Sequence, residues 1–183
     1  GLKGGVVLLE YPCRSDGSGT PSADLLVNGD FLTPGASPTL AAGWSSTGVG
    51  YRRVTGPNMT HAGHASISVE TRTEHDAGSA YQLWRPPAGE SHSALVLSGW
   101  SRAQADGGSQ AIDYSIYADI EFEDGTWAYG QAAAFNSGSH DWQYACRVIE
   151  LPKPVKSIGI SALYRARIGR VLFDSISLAA LPP

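Results

Sequence analysis

From Asp113 to Gly125 the chain reads DYSIYADIEFEDG. Tyr114, Ile116, Ala118, Ile120 and Phe122 alternate with Asp113, Ser115, Tyr117, Asp119 and Glu121. A period of two predicts a strand with one buried and one wet face. Asp124-Gly125 supplies the positive φ of a tight hairpin, and Thr126 to Gln131 returns with Trp127 and Tyr129 on one face. A slip of one residue would carry the whole apolar set into water, so the register is specified. The same short alternation recurs elsewhere. Strands are predicted at Leu25–Val27, Tyr51–Val54, Ala65–Glu70, Ala80–Trp84, Ala94–Ser101, Asp141–Tyr144, Val155–Tyr164 and Val171–Leu178, with a further run at Val6–Leu9. Clusters of Gly, Pro, Asn and Asp separate them, and no long stretch has helical spacing. An all-β, antiparallel sandwich or jelly roll follows.

Length and composition narrow the picture without changing it. The 183 residues fit one domain, residues 25–183, preceded by an N-terminal extension and linker over 1–24 that holds the polar run CRSDGSGTPSAD. A formal net charge of −4 argues against nucleic acid as the main partner, which would demand basic stripes. No run of 18 apolar residues predicts a membrane span. The opening GLKGGVVLLEYP lacks the basic start and cleavage pattern of a signal peptide, and a domain boundary is the expectation there. Two cysteines, Cys13 and Cys146, leave two buried thiols and one bridge both open. A bridge, in an oxidising compartment, is the expectation carried forward.

Several motifs stand in a telling order: Leu26-Val27-Asn28-Gly29-Asp30-Phe31, Gly43-Trp44, His61-x-Gly63-x-x-Ser66-Ile67, Leu97-Ser98-Gly99-Trp100 and Phe173-Asp174-Ser175-Ile176-Ser177-Leu178. Over roughly residues 25–179 this resembles the carbohydrate-binding modules of families 4, 9 and 22, with the galactose-binding-like β-sandwich. The resemblance implies a non-catalytic module, secreted as part of a larger polysaccharide-active enzyme, with a polysaccharide or oligosaccharide as ligand and a catalytic domain on the same parent chain. A structural or interaction sandwich packed against a neighbouring domain is the alternative. The resemblance also implies buried aromatics at Trp44 and Trp142. It implies a structural Ca²⁺ held by Asp30, a carbonyl near His64, and Asp174. Against that ion, Leu32 stands where such modules carry an acid, and Ser175 where they often carry a second Asp.

Alternation leaves Tyr117 without a core role, an aromatic plate among Asp113, Asp119 and Glu121. Sugar rings offer apolar C–H faces and many hydroxyls, which suit an aromatic surface with a few placed polar groups. The expected glycan site is therefore Tyr117 with those three carboxylates, Trp100 and Trp127 as aromatic partners, and Arg165 as the cation. The competing site is the loop end, where Trp84, expected to be exposed before Arg85-Pro86-Pro87, could meet His92. A hydrolytic pair drawn from the carboxylates is not excluded by spacing, since i and i+2 lie about 6.5–7 Å apart. It lacks any evident means of raising a pKa, and no catalysis is expected. His61-x-x-His64 has no further ligands in sequence and reads as a turn. Arg52, Arg53, Arg165, Arg167 and Arg170 leave an acidic polysaccharide open, whereas the carboxylate row favours a neutral one.

Overall fold

The computed structural model describes Cys13, residues 24–61 and 64–104, Gly107, and residues 111–181. The described residues form ten strands, β1 (Ser45–Gly48), β2 (Arg52–Val54), β3 (Ser66–Thr71), β4 (Ala77–Trp84), β5 (Ala94–Gln104), β6 (Tyr114–Phe122), β7 (Trp127–Ala134), β8 (His140–Glu150), β9 (Val155–Arg165) and β10 (Gly169–Ala180). Among the described residues the one helical element is a 3₁₀ turn at Ala111–Asp113. The strands form two antiparallel five-stranded sheets, ordered β1-β4-β9-β6-β7 and β2-β3-β10-β5-β8. They stack face to face as an all-β sandwich.

The β6 alternation is borne out residue by residue. Tyr114, Ile116, Ala118, Ile120 and Phe122 are all buried, and they meet Ile158, Ile160, Leu97, Phe173 and Ile176 in one core. The Tyr114 hydroxyl satisfies itself inside by pairing with Ser101 Oγ at 2.7 Å, and Ser101 in turn donates to the Leu172 carbonyl. Such internal pairing is what a buried hydroxyl requires.

Three expectations change. Leu25–Val27 is not a strand. Leu25 N–H donates to the Leu178 carbonyl and side chains take the other two amides, Asp24 Oδ1 accepting from Leu26 N–H and Gln82 Oε1 from Val27 N–H. The strand at Ser45–Gly48 was not foreseen, because Ser-Ser-Thr-Gly carries no apolar alternation and its residues are all exposed. Asp113 sits in the 3₁₀ turn that leads into β6, not in the strand itself. The run Val6–Leu9 and most of the 1–24 extension lie outside the described residues. Cys13 and Cys146 are joined by a disulfide with Cα atoms 5.5 Å apart, so the extension is anchored to β8.

Candidate functional site

The two outer faces of the sandwich differ. On the first sheet, register places Tyr117 opposite Ser161, Asp119 opposite Gly159 and Glu121 opposite Ser157. Across β9, Tyr81 pairs with Ser161 and Leu83 with Gly159. On the other flank Glu121 faces Trp127. All these side chains share the outward face, and between them lies a hollow of about 150 Å³ lined by Tyr81, Leu83, Tyr117, Asp119, Trp127 and Gly159 among others. Four adjacent strands, β4 to β7 through β9 and β6, make it about 14 Å wide at the spacing of sheet strands.

Its walls are aromatic and aliphatic. Trp127 and Tyr129 stand on the edge strand with ring planes 3° apart and centroids 5.4 Å apart, and they are 46% and 65% exposed. Leu83 is exposed on the opposite wall. Trp127 and Tyr129, two residues apart on β7, share this face by strand alternation, and a bulge interrupts the β6–β7 pairing between Ala118 and Ile120. Gly130 takes the positive φ of 72° inside it, and its N–H donates to Asp119 Oδ1 at 2.9 Å. Gly159 is the other necessary glycine. A Cβ there would sit 2.8 Å from the Tyr81 hydroxyl, so the Tyr81 ring lies down over bare backbone and floors the hollow.

The polar groups are held in place. Partial burial pushes the Tyr117 hydroxyl upward in pKa, and a hydrogen bond to Asp119 with that carboxylate's charge adds to it. The Arg165 guanidinium lies 5.7 Å from the Tyr117 ring centroid and donates to Asp113 Oδ1 at 2.8 Å. Glu121 accepts from Lys156 Nζ at 2.7 Å and from Ser157 Oγ, and the Lys156 contact draws its pKa below the ordinary carboxylate value. A general acid needs a raised pKa. Glu121 moves the other way, and Asp113 is paired with a cation.

The structure therefore gathers Tyr117, Trp127, Asp119, Glu121, Asp113 and Arg165 on one face, and adds Tyr81, Leu83 and Tyr129, which sequence reasoning passed over. Tyr81 and Leu83 lie on β4 and reach β6 only through β9, a neighbour relation that no local pattern reveals.

Two of the expected aromatics belong elsewhere. Trp100 is on β5 of the second sheet and points to its outer face, because the face shared with Val96 and Ser98 is the one turned from the core. There it stacks on His61 at 3.8 Å and meets Tyr144 at 5.3 Å. Trp142 is half-buried beside the same His61, not in the core. Trp84 is 8% exposed and belongs to the core, with His92 6.0 Å away and hydrogen-bonded to Glu90, so the loop-end pair meets without an open aromatic. Trp44 is buried as expected, its indole N–H donating to the Val27 and Asn28 carbonyls.

Two of the residues that the resemblance implied for Ca²⁺, Asp174 and Asp30, are engaged within the fold. Asp174 is fully buried, with Oδ2 accepting the His61 N–H at 2.7 Å and Oδ1 accepting from Ser175 Oγ. Asp30 is exposed and spends Oδ1 on the Leu32 N–H, and the His64 side chain is exposed. Among the described residues no three His, Cys, Asp or Glu side chains gather as a metal-holding group. Asp174 instead pins the 55–61 segment across the outer face of the second sheet.

No protein-family profile matches the chain. Over 86 residues, 46% of its length, it is 37% identical to the tRNA nuclease WapA of Bacillus subtilis (strain 168) and to the tRNA3(Ser)-specific nuclease WapA of Bacillus spizizenii. The chain spans about 4% of the length of these relatives. Among solved structures it is similar to the xylan-binding family 22 module of Paenibacillus barcinonensis Xyn10C, with a TM-score of 0.61 and 15% identity over 89% of this chain and 97% of that one. The C-terminal family 22 module of Clostridium thermocellum Xyn10B superposes with a TM-score of 0.56 and 13% identity, covering 87% of this chain and 97% of that one. The enzymatically active domain of bacteriophage CBA120 tailspike protein 4 reaches 0.61 at 13% identity, covering 86% of this chain and 21% of that one. The fold is thus the antiparallel β-sandwich of carbohydrate-binding modules, as the motif order implied.

Proposed function

We propose that the chain is a non-catalytic carbohydrate-binding module whose site is the outer face of the first sheet. The observation that carries the reading is the hollow between the Trp127–Tyr129 wall and the Leu83 wall, with Tyr81, Tyr117 and Asp119 in its floor. Aromatic faces receive sugar C–H surfaces, and fixed carboxylates and serines take hydroxyls. The solved modules of this fold named as xylan-binding support a polysaccharide or oligosaccharide ligand. The paired carboxylates support binding without hydrolysis, since a paired carboxylate makes a poor proton donor.

We further infer that the module serves a larger secreted protein by holding it at a glycan. The Cys13–Cys146 bridge supports an oxidising compartment. The stretch shared with the WapA nucleases is about 4% of their length, and we assign it an accessory part in such proteins. The alternative, a sandwich that packs on a neighbouring domain, would leave a flatter apolar patch than this walled hollow. Affinity electrophoresis through gels cast with xylan, mixed-linkage glucan or mannan tests the reading. Retardation by one of them, abolished in Trp127→Ala, is the expected result. Free migration of the parent in every gel favours the alternative.

A further inference from the structure

The arginines sort themselves by partner. Arg53 is turned inward, donating to the Phe31 and Leu32 carbonyls, and Arg167 is fully buried. Arg165, Lys156 and Lys153 each hold a carboxylate: Asp113, Glu121 and Asp124. Arg52, Arg72 and Arg170 differ. They converge with Ser68 and Glu70 around a hollow of about 480 Å³ at the far edge of the second sheet. Register explains the convergence. Arg52 on β2 faces Ser68 on β3, and Arg170 on β10 faces Glu70, so β3 separates two outward-pointing guanidiniums.

Three guanidiniums gather here against one carboxylate, in a chain that is acidic overall. Glu70 offsets little, since its contact with Arg72 is 3.7 Å between well-exposed side chains. Among the described residues the Arg52 side chain makes no hydrogen bond or ion pair. Arg170 is oriented by Nε donating to Ser68 Oγ at 2.9 Å, which leaves its two terminal nitrogens facing the hollow. A guanidinium fixed through Nε presents a planar fork that matches carboxylate and phosphate oxygens.

We propose that this hollow is an oxyanion site, taking a carboxylate or phosphate group, and that it is separate from the aromatic face. The aromatic side chain in its lining, Tyr51, is buried with its hydroxyl donated to the Trp44 carbonyl. It offers no plate for a nucleobase, so the chemistry fits an acidic glycan or a free anion. The site would make the module bivalent toward a polymer that is both sugar-faced and charged, each face adding to retention.

The test uses polygalacturonate, its fully methyl-esterified form and inorganic phosphate, each titrated into the intact chain by calorimetry. Expected is binding of polygalacturonate that weakens with added salt, no binding of the ester, and a loss of about tenfold or more in Arg52→Gln and in Arg170→Gln. Arg52→Gln should melt like the parent, because its side chain is exposed and holds nothing in the fold, so its loss reads binding alone. Phosphate binding that those variants abolish, with polygalacturonate ignored, upholds the site and assigns it to a free anion. The loss caused by Arg52→Gln should persist in a Tyr117→Ala background, which separates this proposal from the glycan face. The inference falls if parent and Arg52→Gln bind alike, if the ester binds as well as the acid, or if neither polygalacturonate nor phosphate binds.

Discussion

Trp127→Ala tests the glycan face where its geometry is least ambiguous. Trp127 sits on an edge strand, 46% exposed, its buried half leaning on Tyr129 and on the rim of the hollow. Truncation removes no core contact. It forfeits the stacked pair, worth about 0.5–1.5 kcal/mol when fully formed, so a stability loss of about 1 kcal/mol is the ceiling. Binding should suffer more. An aromatic anchor at the centre of a site costs about 2 kcal/mol or more when truncated, about a thirtyfold loss of affinity at 25 °C. The measurement is calorimetric titration with the polysaccharide that retards the parent, beside a thermal melt. Trp84→Ala is the necessary contrast. Its side chain is in the core, and its removal should cost about 3–5 kcal/mol of stability while leaving the affinity of the folded fraction intact. Trp100→Ala, on the opposite face, should bind as the parent does. A Trp127→Ala chain that titrates like the parent, with Trp100→Ala weakened, would refute the assignment of the face.

Gly159→Val should abolish glycan binding by at least tenfold and lower the melting point, because a Cβ would meet the Tyr81 ring at 2.8–2.9 Å and lift it from the floor; titration and a melt check both. Alkylation under non-reducing conditions should find no free thiol, and reduction should destabilise the chain by up to about 5 kcal/mol for a bridge spanning 133 residues. Chelator should leave the melting point unchanged and elemental analysis should find no bound calcium; a melt that falls with chelator would restore the ion. The depressed carboxyls of Asp76, Glu121 and Asp124 contribute stability present above the ordinary carboxylate pKa and lost as pH falls through their lowered values. Asp24, raised by burial, opposes them, gaining stability as pH falls through its own raised value toward 3.8. Lys156→Gln should therefore flatten the acid limb of the stability curve measured by denaturant titration.

What the sequence made legible was whatever alternation governs. The β6 row, its hairpin and the outward set Tyr117, Asp119 and Glu121 follow from a period of two, and the ladder confirms each side. What it hid was which strands lie side by side. Tyr81 joins Tyr117 only because β9 inserts between β4 and β6, a pairing of segments about forty residues apart in one direction and eighty in the other. Trp100 misled for the complementary reason. Alternation puts it opposite Leu95 and Leu97, but the sheet it decorates turns its back on Tyr117. Trp84 looked exposed because Pro86-Pro87 ends the strand beyond it, yet it is core-facing like Ala80 and Gln82, and burial follows the face rather than the nearness of a loop.

The two outer faces carry different obligations, and this is why the ligand face can be argued at all. On the second sheet the segment ending at His61 crosses β5 and β10, fastened by Asp174 and by the His61–Trp100 stack, and the Cys13 bridge lands on β8 next to Tyr144. Those aromatics have partners inside the fold, and their half-burial is structural. On the first sheet the ring contact of Trp127 and Tyr129 among the described residues is with each other, on an edge strand where hydrophobic exposure invites unwanted pairing. The chain blunts that edge with the Gly130 bulge, which disrupts the ladder just beyond the two rings. Replacing Gly130 with Val would oppose its positive φ of 72° and disturb the Gly130 N–H bond to Asp119 Oδ1, so glycan affinity measured by titration should fall even though Trp127 and Tyr129 keep their face, and an affinity equal to the parent's would show that the bulge has no part in the site.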